Sequence, residues 1–243
     1  MKWKIFTSVT VVTLAASVVV AGTMALTTPA SSEEMQSSIA RGGQLYDKWF
    51  KVIGAEKPTG NHKSWPAANT KKKGNATWRC KSCHGWDLRG KDGAYATGSY
   101  KTGITGLRSF EGTETAKIVT IMKDDTHGFG GMMADKDYAD LALFVSKGQI
   151  NMTKYIANDK SVKGDVAQGE AYYKTLCINC HGADGKQPKE LPKPLGKIAS
   201  GNPWETLHKI LNGQPKENMP ALRALPLQVS LDVLAYSITL PQE

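Results

Sequence analysis

Two pentapeptides of the same pattern constrain this chain more than any other feature. Residues 80–84 read CKSCH and residues 177–181 read CINCH, so each holds two cysteines that are separated by two residues and followed directly by a histidine. The 243-residue chain has four cysteines in all, and the two pentapeptides use every one of them. No cysteine is therefore left for a disulfide elsewhere in the chain.

Covalent attachment of haem explains this pattern. The two thiols add across the two vinyl groups of a haem, which requires a gap of two residues, and the adjacent histidine lies below the iron as its proximal ligand. We therefore predict two covalently bound haem c groups. The thiols that carry them are Cys80, Cys83, Cys177 and Cys180, and the proximal iron ligands are His84 and His181.

Other chemistries also use pairs of cysteines at this spacing. A zinc site would take both CxxC pairs as ligands, but the pairs are 97 residues apart in sequence and the two histidines would have no role. A redox-active CxxC pair belongs in a βαβ context, for which the sequence has no pattern. Disulfides within or between the pairs stay open as an alternative in an exported chain.

The N-terminal residues predict export. MKWK supplies a positively charged start, residues 5–26 are apolar apart from scattered Ser, Thr and Gly, and no further charge occurs before Glu33. Ala25 or Ala30 suits signal cleavage, but the apolar run of 22 residues is also long enough to span a bilayer. Residues 1–30 are thus either a cleaved signal peptide or, through residues 5–26, a retained membrane anchor. Both place the rest of the chain in the periplasm.

The charge of the chain is unevenly distributed. The formal net charge is +9, of which +7 falls in residues 35–150 and +2 in residues 151–243. A basic front half suits nucleic acid, anionic lipid or an acidic protein. No helix-turn-helix, zinc-finger or aromatic RNA-binding signature accompanies it, so we expect redox protein partners of acidic character and no nucleic acid. The three lysines at 71–73 are either a docking patch for such a partner or an ordinary solvated run.

Residues 165–243 carry three helical patterns. Residues 165–176 have apolar and aromatic side chains at helical spacing and lead directly into the second pentapeptide. Residues 202–213 read NPWETLHKILNG, in which the first Asn suits a helix cap, the Pro suits the first turn and the last Gly ends the helix. Residues 230–240 begin with a Ser cap and have one apolar face.

Residues 35–148 repeat this pattern at lower fidelity. ARGGQLYDKW at 40–49 matches AQGEAYYKTL at 167–176 with an offset of 127, but the first pentapeptide comes later than this offset requires. An insertion at about 50–79 accounts for the difference. Its content of Gly, Pro, Asn and Lys is typical of a loop, in which we expect His62 to be exposed.

The predicted fold class is all-α. Helices at 113–124 and 135–148 complete the front half, so that both halves consist of helices joined by loops. We predict two similar helical domains in tandem, at 35–148 and 165–243, with a linker at 149–164. The N-terminal signal or anchor helix precedes them.

The second pentapeptide and its surroundings resemble a class I cytochrome c domain. The resemblance is carried by CINCHGADG, by ILNGQPKENMPAL and by a last amphipathic helix, and it covers residues 165–241. In that family the Met of an MP loop is the distal iron ligand, which implies Met219 for the rear haem. The front half resembles the family in ARGGQLYDKW, CKSCHG and its last helix, but departs from it in the insertion and in the loop that would close the haem.

The distal ligand of the first haem has three candidates, His127, Met132 and Met133, all in the loop before the last front helix. Aligning the Leu-Ala pairs of the two last helices gives an offset of 93, which sends Met219 to position 126, next to His127. Met132 and Met133 fall six or seven residues too late, almost at the helix cap. We therefore predict His127, with Met132 or Met133 as the alternative.

Electron transfer is the function that these features predict. With both axial positions filled, neither iron has an open site for substrate, and no acid–base pair or nucleophile constellation is evident in the sequence. Methionine ligation raises a haem's reduction potential, so electrons are expected to run from the His/His haem to the His/Met haem. The alternative is a dihaem oxidoreductase or its cytochrome subunit, such as a sulfur-oxyanion dehydrogenase or a peroxidase, which needs an open or labile iron. A subunit of a larger respiratory complex is a third interpretation.

Overall fold

The computed structural model describes residue 1 and residues 32–243. The predicted signal peptide or membrane anchor, with its apolar stretch at residues 5–26, lies outside the described residues. Within the described part of the chain, no helix combines the length and the apolar character that crossing a bilayer requires.

Helices are the regular structure of residues 32–243. Isolated antiparallel bridges at Gly90–Thr105 and Ile156–Val162 are the only β pairings in this part of the chain, which confirms the all-α prediction for it. The helices are α1 (Ser32–Val52), α2 (Cys80–His84), α3 (Thr115–Lys123), α4 (Asp135–Lys147), α5 (Val166–Leu176), α6 (Ile178–His181), α7 (Leu195–Gly201), α8 (Pro203–Asn212) and α9 (Leu227–Thr239). Short 3-10 turns lie at Gly74–Trp78, Arg108–Phe110 and Met152–Lys154.

Local sequence signals set several helix ends. The side chain of Asn202 accepts a hydrogen bond from the backbone N–H of Glu205 (3.3 Å), and so caps α8 as predicted. Gly213 follows α8 with a φ of 81°, a conformation that glycine adopts without steric cost. Asp165 caps α5 in the same way as Asn202, by accepting from the N–H of Ala167 at 2.9 Å.

The last helix begins one turn earlier than its sequence suggests. Helix α9 starts at Leu227, directly after Pro226, whereas we had expected Ser230 to be its cap. Ser230 instead lies fully buried inside the helix, and its hydroxyl has no hydrogen-bond partner. The proline accounts for the difference, because its fixed φ already suits the start of a helix.

The front half is built around one hydrophobic cluster. Helix α4 packs against both α1 and α3. The cluster includes the fully buried side chains of Leu45 and Tyr46 from α1 and of Leu141 from α4. Between α1 and α2 the chain has no helix except the 3-10 turn at Gly74–Trp78, so the inserted segment is largely loop.

The rear half has a cluster of its own. Helix α5 packs against α9, and α7 and α8 also contact α9. Leu207, Leu231 and Leu234 form the centre of this cluster. The segment at 149–164, which we predicted as a linker, packs onto it, since Met152 and Ile156 are buried among its members.

The same close helix crossing occurs in both halves. A side chain at Gly42 of α1 would place its Cβ 2.1 Å from the carbonyl oxygen of Asp140 in α4, and one at Gly169 of α5 would place it 2.0 Å from the carbonyl oxygen of Asp232 in α9. Both crossings therefore need glycine for close approach. The paired contacts show that α1 corresponds to α5 and α4 to α9.

The two halves contact each other through α1 and α8. Gln44 of α1 donates a hydrogen bond to the backbone oxygen of Asn212 (2.8 Å). Asp47 is buried beside them and forms ion pairs with Arg79 and with Lys209 (3.0 Å). Burial by itself raises the pKa of Asp47, but Lys209 and Arg79 outweigh that effect and hold the pKa below its usual value. A paired, buried carboxylate therefore lies between the halves.

Candidate haem sites

A cavity of about 330 Å³ lies in the front half, between the first pentapeptide and the loop after α3. Four of the predicted haem-site residues line it: Cys80, Cys83, His84 and His127. Most of the remaining wall is apolar and comes from several elements, namely Trp78, Leu107, Ile118, Met122, Phe129, Leu141 and Val145. The wall thus has the apolar character that a haem face requires, with two thiols and the three imidazoles of His62, His84 and His127 lining it.

Two of these imidazoles, those of His84 and His127, lie near each other in the cavity. The ring centres of His84 and His127 are 6.3 Å apart and their planes differ by 25°. Two imidazoles that bind one metal ion from opposite sides have ring centres about 6 Å apart, because each metal–nitrogen bond is about 2 Å long and each ring centre lies about 1 Å beyond its nitrogen. The spacing of His84 and His127 therefore fits an iron between them.

His84 is oriented by its second nitrogen. Its Nδ1 donates a hydrogen bond to the carbonyl oxygen of Thr105 (2.8 Å), which leaves Nε2 as the nitrogen free to bind a metal ion. Burial lowers the pKa of His84 to about 4, so the ring is neutral at physiological pH. A neutral imidazole is the form that a metal ion requires.

The thiols do not resemble a redox pair or a shared zinc site. All four cysteines lie in the described part of the chain and carry free thiols. Burial raises the pKa of Cys80 and of Cys83 to about 12, which is opposite to the lowered pKa of a reactive thiol. Cys80 packs against the front cluster and Cys177 against the rear one. Among residues 32–243, no three His, Cys, Asp or Glu side chains are grouped to hold a metal ion.

The loop that carries His127 is held by side chains on both sides of it. Asp124 accepts hydrogen bonds from the backbone N–H of His127 (2.8 Å) and from its Nδ1 (3.1 Å), which again leaves Nε2 for a metal ion. His62 donates from Nε2 to the carbonyl oxygen of His127 (2.7 Å). The expectation that His62 is exposed is therefore wrong: it is 7% exposed, because the insertion folds back over the cavity.

Met132 and Met133 are placed differently from His127. Met132 is exposed, Met133 is buried in the front cluster one residue before the residue that caps α4, and neither lines the cavity. Helices α4 and α9 both have 13 residues, and their first residues are 92 apart, one fewer than the offset used above. With this register, the counterpart of Met219 is His127 itself.

The rear pentapeptide has the same local arrangement as the front one. His181 donates from Nδ1 to the carbonyl oxygen of Gln187 (3.2 Å), as His84 does to Thr105. The hydroxyl of Tyr173 donates to the carbonyl oxygen of Gly182 (2.8 Å). In the front half Tyr46 makes the equivalent bond to Gly85 (2.6 Å).

Met219 lies partly buried against the rear cluster, where Cys177 also packs. Cys180 is exposed, and burial raises the pKa of Cys177 to about 11. Cys180 thus lies nearer to solvent than Cys80, Cys83 and Cys177, all of which are partly buried.

Several supporting residues were not indicated by the sequence reasoning. Tyr46 and Tyr173 occupy equivalent positions of the repeat at the offset of 127, so the repeat itself was the available signal. Asp124 precedes His127 by three residues, a spacing at which an aspartate commonly bonds a nearby backbone N–H. For His62 the local sequence contains no signal.

Comparison with known families supplies independent evidence for the rear half. A family model described as cytochrome c oxidase, cbb3-type, subunit III matches residues 164–229, a stretch that contains the second pentapeptide and Met219. Residues 164–229 are a c-type cytochrome domain. A domain of this kind binds haem c covalently and transfers electrons through it. The first pentapeptide lies outside the matched residues, and no curated protein matches the chain.

Proposed function

We propose that this protein is a periplasmic dihaem c-type cytochrome that transfers electrons between redox partners. The observation that carries the proposal is the pair of imidazoles of His84 and His127, whose ring centres lie 6.3 Å apart in the cavity into which Cys80 and Cys83 open. This arrangement supports haem binding in the front half as well as in residues 164–229.

The front half is, on this proposal, a second cytochrome c-like domain. Its support is the recurrence of a set of local contacts: the glycine crossing between the first and last helices, the tyrosine bond to the glycine after the pentapeptide, and the Nδ1 bond of the proximal histidine. Contacts of this kind depend on backbone positions as well as on side chains. Their recurrence therefore favours a shared fold.

The axial ligands that we propose differ between the two sites. His84 and His127 hold the front iron, and His181 and Met219 hold the rear iron. A methionine ligand raises the reduction potential of a haem, so electrons favour the direction from the front site to the rear site. With two protein ligands on each iron, neither iron would be open to a substrate, and the haems would supply electron transfer alone.

The location and the partners follow from charge and from the N-terminal sequence. We propose that residues 1–30 direct the chain to the periplasm, as a cleaved signal or as a membrane anchor. An acidic partner protein suits the basic front half. Lys71 and Lys73 are exposed just before the turn Gly74–Trp78, whose Thr77 and Trp78 line the front cavity. Docking at these lysines would be rapid, weak and sensitive to salt.

Mass analysis of the mature protein tests the number of haems and the fate of the N-terminus. We expect the mass of two covalent haems, and of one haem in a Cys80→Ser, Cys83→Ser double variant. A mature protein with a single haem would overturn the dihaem proposal. The same measurement shows whether residues 1–30 are retained.

Absorption spectra of ligand variants test the axial assignments. We expect His127→Ala to alter the front haem and to leave the methionine–iron band of the rear haem intact, whereas Met219→Ala removes that band. A front haem that is unchanged by His127→Ala but altered by Met133→Leu would contradict the assignment. Carbon monoxide bound by the reduced wild-type protein as fast as by His127→Ala would favour a dihaem oxidoreductase over a carrier.

A further inference from the structure

We propose that the loop between α1 and α2 has a specific role: His62 and Ser64 are positioning residues that keep His127 bound to the front iron. The inference rests on the proposed function, since it requires His127 to be the distal ligand. It assigns a task to the inserted segment that distinguishes the front half from the rear half.

The first contact is made to the backbone of His127 itself. Nε2 of His62 donates a hydrogen bond to the carbonyl oxygen of His127 at 2.7 Å. Nδ1 of His62 accepts a hydrogen bond from the backbone N–H of Ser64 at 3.1 Å. Because Nδ1 accepts, the single proton of the neutral ring must lie on Nε2, so the tautomer that can donate to His127 is selected by the loop itself.

The ring of His62 is held in place by the haem-side wall of the cavity. It lies edge-on to Trp78, with ring centres 4.6 Å apart, and 5.6 Å from the ring of Phe129. The backbone N–H of His62 donates to the hydroxyl of Thr77 at 2.8 Å. Thr77 comes three residues before Cys80, so this contact connects the thiol side of the site with the distal side.

The second contact flanks the first. The hydroxyl of Ser64 donates a hydrogen bond to the carbonyl oxygen of Thr126, the residue before His127. The loop thus binds two consecutive carbonyl oxygens of the distal segment. Movement of His127 away from the iron would break both bonds at once, which opposes dissociation of the ligand.

The expected size of the effect follows from the value of such bonds. Removal of one buried hydrogen bond changes an equilibrium by roughly five- to tenfold. A loosened His127 leaves the reduced iron open more often, and carbon monoxide then replaces it faster. We therefore measure the rate of carbon monoxide uptake by the reduced dihaem protein, together with its absorption spectrum.

His62→Phe is the decisive variant. Phenylalanine keeps the ring that packs on Trp78 and Phe129 but has no donor for the carbonyl oxygen of His127. We expect carbon monoxide uptake at the front haem to accelerate by about tenfold, with the methionine–iron band of the rear haem unchanged. His62→Gln, whose side-chain amide can donate to the same oxygen, should restore a rate close to that of the wild type.

Two further variants distinguish the possible outcomes. Thr59→Ala changes an exposed residue of the same loop and should behave like the wild type, whereas His127→Ala sets the rate of a fully open iron. If His127→Ala accelerates uptake and His62→Phe does not, the positioning role is overturned and the proposed function stands. If His127→Ala has no effect, the proposed axial ligand is wrong and both fail.

Ser64→Ala keeps the inference testable should His62→Phe fail to accumulate as holoprotein. Ser64 lines the cavity but is exposed, so loss of its hydroxyl removes little buried packing. We expect uptake to accelerate several-fold, since one of the two carbonyl contacts remains. A rate equal to that of Thr59→Ala would overturn the role of the loop.

Discussion

His208 and Gly43 join the two halves of the molecule: Nε2 of His208 in α8 donates a hydrogen bond to the carbonyl oxygen of Gly43 in α1, at 2.9 Å. The imidazole lies among aromatic rings of the front half, with centres 5.0 Å from Trp86 and 5.6 Å from Phe144. A polar side chain of the rear half is thus buried in the wall of the front half. Together with the contacts of Gln44 and Asp47, this contact joins the two halves.

Truncation of His208 should destabilise the folded protein. His208→Ala removes the bond to Gly43 and leaves a cavity among Trp86 and Phe144, so we expect a loss of about 2–4 kcal/mol in the free energy of unfolding. Lys154→Ala, an exposed control, should change it by less than about 0.5 kcal/mol. Urea unfolding followed by circular dichroism measures both. Equal midpoints for the two variants would show that the contact contributes nothing.

The stability of the wild-type protein should fall between neutral and mildly acid pH because of the same residue. Burial lowers the pKa of His208 from 6.5 to about 4, against the smaller opposing effect of Asp47. The unfolded chain therefore binds a proton at this histidine below pH 6.5, which the folded protein does only near pH 4. The stability contributed by neutral His208 is complete above pH 6.5 and is lost as the pH falls towards 4, by up to about 3 kcal/mol.

A comparison with His208→Gln isolates this effect from other titrating groups, such as Asp47, which faces the imidazole together with Lys209 and Arg223. Glutamine can donate to the same carbonyl oxygen but does not titrate. The unfolding free energy of the wild type should fall relative to that of the variant as the pH is lowered from 7 to about 4. A difference that stays constant over that range would disprove the prediction.

Close helix crossing makes Gly169 intolerant of a side chain. In Gly169→Ala the new Cβ would lie 2.0 Å from the carbonyl oxygen of Asp232, so α5 and α9 must separate. We expect a loss of at least about 2 kcal/mol in the free energy of unfolding. Gly201→Ala is the matched control, because a Cβ added there would have no atom within 4 Å and its backbone is not left-handed. In thermal unfolding, the midpoint of that control should equal or slightly exceed that of the wild type.

If the front half binds a haem through His127 as proposed, the carboxylate of Asp124 should lower the reduction potential of that haem. It accepts a hydrogen bond from Nδ1 of His127 (3.1 Å), and its negative charge favours the more positive, oxidised iron. Asp124→Asn should therefore raise the potential of the front haem and leave that of the rear haem unchanged. Asp125→Asn removes the same charge from the neighbouring exposed position and should have a smaller effect. Spectroelectrochemical titration would reject the prediction if both variants shifted the potential equally.

Much of the local structure was predictable because its causes are local. The pentapeptides fix two thiols and an imidazole on one turn of chain, and Asn202 and Asp165 cap helices through bonds to residues two or three positions away. The error in the predicted start of α9 also has a local cause. The helix begins directly after Pro226, and Ser230 therefore lies inside it. These interactions join residues only a few positions apart, so a short stretch of sequence is enough to predict them.

The position of the distal ligand was only partly predictable. The three candidates lie within seven residues of one another, and the sequence alignment placed Met219 one position from His127. The offset that aligns residues of α4 with residues of α9 follows from packing. Gly42 contacts Asp140 in the front half, and Gly169 contacts Asp232 in the rear half. With this offset His127 aligns with Met219, which supports the proposed ligand, and Met133 belongs to the core.

The sequence by itself determined the two CxxCH motifs, the all-α character of the described chain and several of its helix ends. Tertiary structure alone decided the contacts that support the sites: His62 with the carbonyl oxygen of His127, 65 residues away in sequence, and His208 with that of Gly43, 165 residues away. The physical reason is that a buried hydrogen bond needs only two groups brought together by the surrounding packing. The residues next to each histidine in sequence give no indication of the group to which it donates.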